Sequence, residues 1–321
     1  MRRTFASLTL LFGLWTAPAA AEAPKVVVSV KPLHSLVAAV MQGVGEPALL
    51  VRGGASPHDY ALKPSDAKAV ADADIVVWVG EGLESFLARP MKNRAKGTQD
   101  IALMYAAGLT LLQPREGGAW ESHDHGHKHD HSSHHGDHGE LNLHIWLDPM
   151  NAKEIGEVVA VALAARDTAN AAVYTANAAA LGQRLDALDA ELKAALAPVA
   201  DRRFVVFHDA YQYFENRYGL NAAGSIMVNP DRPPSAKRLA AIRARVKDLG
   251  ATCVFAEPEF EPKLVRTVVE GTQASTGVLD PEGAAIPEGP ELYFALMRGL
   301  AKGLTECLGP SPAPGEGGAR P

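Results

Sequence analysis

The chain has 321 residues, of which 47% are hydrophobic and 21% charged, with a formal net charge of −6. That length accommodates two domains of ordinary size, and the composition excludes collagen-like, wholly disordered and coiled-coil classes. The mild acidity, with no cluster of Lys or Arg, argues against nucleic acid as a partner.

Residues 1–21 read as a secretory signal, with Arg2 and Arg3 ahead of an apolar run at 8–15 and small residues at Ala19, Ala20 and Ala21. The apolar run is about half of the ~20 residues that a membrane span requires, and Pro18 interrupts it. A mature chain starting near Glu22 is expected, free in the periplasm, monomeric and without a direct membrane anchor. Val26 begins a continuous apolar run to Val30, the pattern of a strand buried on both faces. A helix is expected at 33–41, a strand at 48–51, and a loop from Gly53 to Pro57. A helix at 65–73 with Ser65 as N-cap, a strand at 75–79, a helix at 83–89 and a short strand near 100–103 complete the first half. Strand and helix alternate, which predicts an α/β lobe with a parallel sheet covered on both faces.

The stretch from His123 to His138 holds eight of the 12 histidines in the chain: His123, His125, His127, His129, His131, His134, His135 and His138. Neutral imidazoles among aspartates make weak, interchangeable ligands for zinc, copper or nickel. The competing reading is a solvated low-complexity loop. Ordering such a loop costs about 1–2 kcal/mol per residue, so it is not expected to form the tight site alone. Helices are then expected at 151–166 and 168–197. Leu181, Leu185, Leu188, Leu192 and Leu196 mark the buried stripe of the second, and about thirty residues at ~1.5 Å each give a rod of ~45 Å. Such a rod suits a rigid connector between lobes. The alternation resumes with strands at 204–207, 223–227, 253–257 and 277–279. Helices are expected at 210–218, 235–249, 262–270 and 291–308. The domain expectation is therefore a signal at 1–21 and an N-terminal α/β lobe at 22–150 that carries the His/Asp loop at 121–140. A helical connector at 151–199, a C-terminal α/β lobe at 200–308 and a disordered tail at 309–321 follow.

Three histidines outside the loop, and one aspartate, occupy suggestive places. His58 follows the loop after the second strand, His208 follows directly on a strand, and Asp280 follows Val278-Leu279. Ligands of open parallel sheets collect beyond the carboxyl ends of the strands. His144 lies just before the first long helix. Taken singly, each also fits a hydrogen-bonded structural residue, and His34 at a helix start is read that way. Cys253 and Cys307 are an even pair in an exported chain. A disulfide is suggested, worth ~4 kcal/mol in the chain-entropy model, with two reduced buried thiols as the alternative.

The motif Ser56-Pro57-His58-Asp59-Tyr60, with Leu62-Lys63-Pro64-Ser65-Asp66 behind it, resembles the first metal-ligand motif of the periplasmic zinc-binding proteins of ABC importers, the ZnuA-type or cluster A-I solute-binding proteins. His144-Ile145-Trp146-Leu147-Asp148-Pro149 resembles their second motif, and Phe207-His208-Asp209-Ala210-Tyr211-Gln212-Tyr213-Phe214 the third. Thr252-Cys253-Val254-Phe255-Ala256-Glu257-Pro258 and Leu279-Asp280-Pro281 match as well, as does the His/Asp loop of the zinc branch. The resemblance implies two α/β lobes bridged by a long helix, with Zn2+ in the cleft on His58, His144 and His208. It places Asp280 where a carboxylate completes the site in manganese relatives, and maps a disulfide of some zinc members onto Cys253 and Cys307. Some members have a Glu before the first ligand His. Pro57 stands there in this chain, which leaves Asp280, a water or a loop histidine as fourth ligand. Asp59 and Asp209 are candidates to orient the rings. The function implied is zinc capture and delivery to an inner-membrane ABC permease, not catalysis. The alternatives are a manganese or iron carrier, a zinc buffer without a transporter, and a zinc-dependent hydrolase.

Overall fold

Short apolar strands, each returned by a helix, can only pair in parallel, and they do so twice. The computed structural model describes residues 22–115, 120, 141–227 and 234–309. The expected signal, the His/Asp loop at 121–140 and the tail from 310 onward lie outside the described residues. The first half runs β1 (Val26–Val28), α1 (Lys31–Val40), β2 (Ala48–Leu49), α2 (Pro64–Ala71), β3 (Ile75–Trp78), α3 (Ala88–Lys92) and β4 (Gln99–Ala102). The long helices α4 (Pro149–Arg166) and α5 (Ala171–Leu196) follow. The second half runs β5 (Arg203–His208), α6 (Gln212–Tyr218), β6 (Asn221–Met227), α7 (Ala236–Leu249), β7 (Cys253–Ala256), α8 (Lys263–Val269), β8 (Ser275–Val278) and α9 (Leu292–Leu308).

The sheets share one wiring, β2-β1-β3-β4 and β6-β5-β7-β8, and every pairing is parallel. Alternate strand residues serve two cores. Val26, Val28, Ile75 and Val77 enter a core shared with α1, α4, α5, α9 and, from the other sheet, Phe204, Val206 and Phe255. Val27, Val76 and Trp78 pack outward on Val70, Leu87 and Met91. Val205, Phe207 and Val254 do the same on Ile242, Val246 and Val265. This double burial is why the strands read as unbroken apolar runs.

Local chemistry sets the helix ends. Pro149 opens α4 while Asp148 caps it, accepting from the Met150 amide at 2.9 Å. Ser235 caps α7 in the same way, through the Arg238 amide at 3.1 Å, and Gly250 ends that helix in the left-handed conformation at φ 58°. Three expectations change. Ser65 lies inside α2, because the chain turns in at Lys63 and Pro64 takes the first turn. The helix expected at 83–89 is a 3-10 turn at Ser85–Leu87 leading into α3, and the Glu84 carboxylate is turned inward. The second long helix begins at Ala171 rather than Thr168, since Asp167 accepts from the Asn170 side chain at 2.7 Å and the Tyr174 hydroxyl at 2.8 Å and closes a turn there.

Helix α5 lies against α4, α1 and α9, with Leu181, Leu185, Leu188, Leu192 and Leu196 all buried. It therefore packs on elements from both halves along its length. Cys253 of β7 and Cys307 of α9 form a disulfide, Cα to Cα 6.1 Å, which fastens the last helix to the second sheet. Among the described residues no helix is long and apolar enough to cross a membrane.

Candidate metal centre

The pairs β1–β3 and β5–β7 sit side by side in their sheets, where the order of connection reverses. Loops leaving the carboxyl ends at such a point open a crevice. His208 is the last residue of β5, and Glu257 follows β7 directly. His58 is carried on the loop after β2, where its amide bonds to Ser56 Oγ at 3.2 Å. His144 sits on the turn into the 3-10 segment Ile145–Leu147, ahead of α4.

These three histidines converge. One ring nitrogen from each lies within 4.8 Å of the others. Ring centroids are 5.5 Å apart for His58–His144, 5.8 Å for His58–His208 and 5.1 Å for His144–His208. His144 and His208 are buried and His58 half-buried. The neighbours set the tautomers. His208 Nδ1 faces Glu257 Oε2 at 2.6 Å, and His144 Nδ1 faces Asn142 Oδ1 at 3.0 Å. With Nδ1–H donating to its oxygen, the lone pair of a neutral ring falls on Nε2. Those two Nε2 atoms are 3.2 Å apart. Two lone pairs pointed at one another repel, whereas two nitrogens at ~2.0–2.1 Å from a tetrahedral ion stand ~3.3 Å apart. His58 Nε2 is buried with no hydrogen-bond partner.

Burial keeps the His58 and His144 rings neutral. The His58 imidazole is pushed down to about 3 by desolvation first and by His208 second. His144 is lowered well below its ordinary value by desolvation, then by His208 and His58. On the far side, burial pushes Glu259 up to about 8, with Asp280 as the next cause, and raises Glu282. A cleft that gathers uncharged nitrogens beside proton-holding carboxyls is arranged for a cation.

Asp280 is not one of that group of three. Its carboxylate accepts from the amides of Glu282 (3.1 Å), Gly283 (2.7 Å) and Ala284 (2.7 Å). Asp209 pairs with Arg115, which also bonds Glu215 at 2.6 Å and lies over the Trp120 ring at 3.5 Å, and Asp59 is exposed. The ring-orienting groups are instead Glu257 and Asn142, and Glu257 also accepts from Tyr211 Oη at 3.0 Å. Its position one residue past a strand end was the available signal, the same one that marks His208. Nothing in the sequence marks Asn142 or Arg115. His34 bonds the Pro47 carbonyl at 3.0 Å, away from the cluster, as a structural residue does. A cavity of about 200 Å³ leads to His58 and His144, and its wall includes Trp120 and Leu141, the described residues on either side of the His/Asp stretch.

The model of the family "zinc-uptake complex component A periplasmic" matches residues 26–307. The high-affinity zinc uptake system protein ZnuA of Brucella abortus is 50% identical over 325 residues, which cover 95% of this chain and 97% of that protein. The protein of the same name from Yersinia pestis is 37% identical, over 88% of this chain and 91% of its own length. A crystal structure of ZnuA superposes with a TM-score of 0.73 at 28% identity, covering 89% of this chain and 99% of that one. A zinc-bound ZnuA deletion mutant matches at a TM-score of 0.73 and 26% identity, over 90% of this chain and 100% of that one.

Proposed function

The chain belongs to the periplasmic zinc-uptake complex component A family, and from that premise we propose that it is a high-affinity zinc carrier that captures Zn2+ in the periplasm and delivers it to an ABC-type permease. The observation that carries this reading is the pair of Nε2 atoms 3.2 Å apart, with a third imidazole beside them. His58, His144 and His208 hold the ion. Three imidazoles suit borderline-soft zinc better than harder manganese, which favours carboxylate oxygens. The Asp280 carboxylate already accepts three amides, so a water or a loop histidine is the better fourth ligand. The His/Asp stretch, whose flanking residues Trp120 and Leu141 lie on the cavity wall, gathers metal and passes it to the three histidines. Glu257 is committed to His208 and Tyr211, which favours holding an ion over activating water.

The test is a titration of zinc-free protein. One tight zinc equivalent is expected, with further weak ones that vanish when residues 123–138 are deleted, and manganese at equal concentration should not displace the tight ion. Displacement by manganese, or loss of the tight equivalent with the loop, overturns the reading in favour of a manganese carrier or a loop-based site respectively. A purified protein that hydrolyses esters or peptides in proportion to bound zinc would overturn the carrier assignment.

Two further results are expected. Glu257→Gln weakens the carboxylate–imidazole bond that aims His208, and such partners are worth about 10–100-fold in metal affinity. Zinc affinity should fall about tenfold or more, as read by chelator competition, with the fold retained by circular dichroism. The second concerns pH. Protons compete with zinc for imidazole nitrogen, so affinity falls as pH falls. Three free imidazoles at about 6.5 would together lose about a thousandfold between pH 7.5 and 5.5, about tenfold each. His58 and His144 are both held well below that range, so they add no loss in this window. The loss should therefore fall short of that for three free imidazoles by the roughly tenfold that each of these two rings would have added.

A further inference from the structure

Among the described residues, Lys31 is the only Lys or Arg that is buried, at 4% exposure. It opens α1 in the first half, yet its Nζ donates to three carbonyls of the second half: Gly283 (2.5 Å), Ile286 (2.8 Å) and Ala284 (3.0 Å). Three acceptors use all three protons of an ammonium. The loop it grips is tied twice more. Asp280 receives the loop's own amides from within, and Trp146 Nε1 donates to the Pro281 carbonyl at 2.9 Å. That loop is a wall of the metal cleft, because Pro281 and Glu282 line one small cavity with His58, His208 and Glu259. The carboxylates that act on the Lys31 charge are Asp280, Glu288, Glu282 and Glu259, most of them on or beside this wall.

We propose that Lys31 is a positioning residue for the cargo: by clasping the 283–286 segment across the seam, it holds the Pro281–Glu282 wall against His58 and His208 and so slows the escape of bound zinc. The inference rests on the reading of those histidines as the zinc site. Removing Lys31 frees three carbonyls, one of them in a buried bond, and releases the wall, while every nitrogen ligand stays in place.

A residue that merely glued the halves together would act through stability alone, and the seam offers a control. Ser35, one turn along α1, accepts from the Tyr293 amide at 3.0 Å in a buried bond that does not involve the loop. Zinc-loaded wild type, Lys31→Met, Lys31→Arg and Ser35→Ala are mixed with excess chelator, and the dissociation rate is followed. Lys31→Met should release zinc about tenfold faster, as loss of an outer-sphere support does, with Lys31→Arg and Ser35→Ala within about threefold of wild type. A wild-type rate for Lys31→Met, or equal acceleration by Ser35→Ala, overturns the proposal. If Lys31→Met does not fold, Lys31→Gln is measured in its place, and a wild-type rate there has the same force. Wild-type protein without a tight zinc equivalent would instead refute the site itself.

Discussion

Alanine at any one of His58, His144 or His208 is expected to remove the tight zinc equivalent, leaving only weak binding that disappears with the 123–138 stretch. Each ring supplies one of three nitrogens within 4.8 Å of one another, and the described residues contain no other such group. Loss of an outer partner costs about 10–100-fold in affinity, so loss of a ligand should exceed about a hundredfold. Calorimetric titration reads this directly. Unchanged affinity in all three variants would refute the site. Of the zinc-free variants, His144→Ala should be the one least destabilised, because it separates the converging His144 and His208 nitrogens and leaves the His208–Glu257 pair intact. A thermal melt of each checks that the loss belongs to the site and not to the fold.

Trp146→Ala should give the largest loss of stability. Trp146 is fully buried and joins three parts of the molecule. Its indole donates to Pro281, its carbonyl accepts from the Tyr293 hydroxyl at 2.7 Å, and its ring packs on His144 with centroids 5.4 Å apart. Truncating a buried aromatic of this size costs about 3–5 kcal/mol. Denaturant unfolding of the zinc-free protein should show that loss. Trp146→Phe keeps most of the packing and removes the indole donor, which leaves one buried carbonyl unpaired at about 1–3 kcal/mol. A drop below about 1 kcal/mol for the alanine variant would mean that the ring is not the keystone its contacts describe.

The fold was legible where one physical signal dominates. Runs such as Val26–Val28 and Ile75–Trp78 must be buried on both faces, and the leucine stripe of α5 permits one orientation only. His208 was legible for the same reason, since it ends β5, and strand ends are where crevices open. What stayed hidden depends on partners far away in sequence. Glu84 looks like a surface acid on a helix. It is fully buried, pushed up to about 7 by desolvation, and bonded to Ser29 at 2.6 Å and to the amides of Val79 and Gly80. Lys31 likewise reads as a helix-start lysine, and only the folded chain supplies the carbonyls of Gly283, Ala284 and Ile286. Asp280 shares the strand-end position that led to His208, and what the sequence does not show is that the backbone turn after it offers its carboxylate three amides.

Helix α9 is the last element among the described residues, and it settles against α1, among the first, as well as on α5 and β8. A nascent chain on the ribosome therefore lacks one side of its own interior until translation has passed residue 308. Truncations within the last helix should leave α1 and α5 with bare apolar surface and yield an aggregating product rather than a smaller carrier. No early fragment can grip a cation in the cleft, because His208 ends β5 and the loop beside it arrives only after β8. The ion is acquired by the finished molecule, in whichever compartment the chain completes its folding.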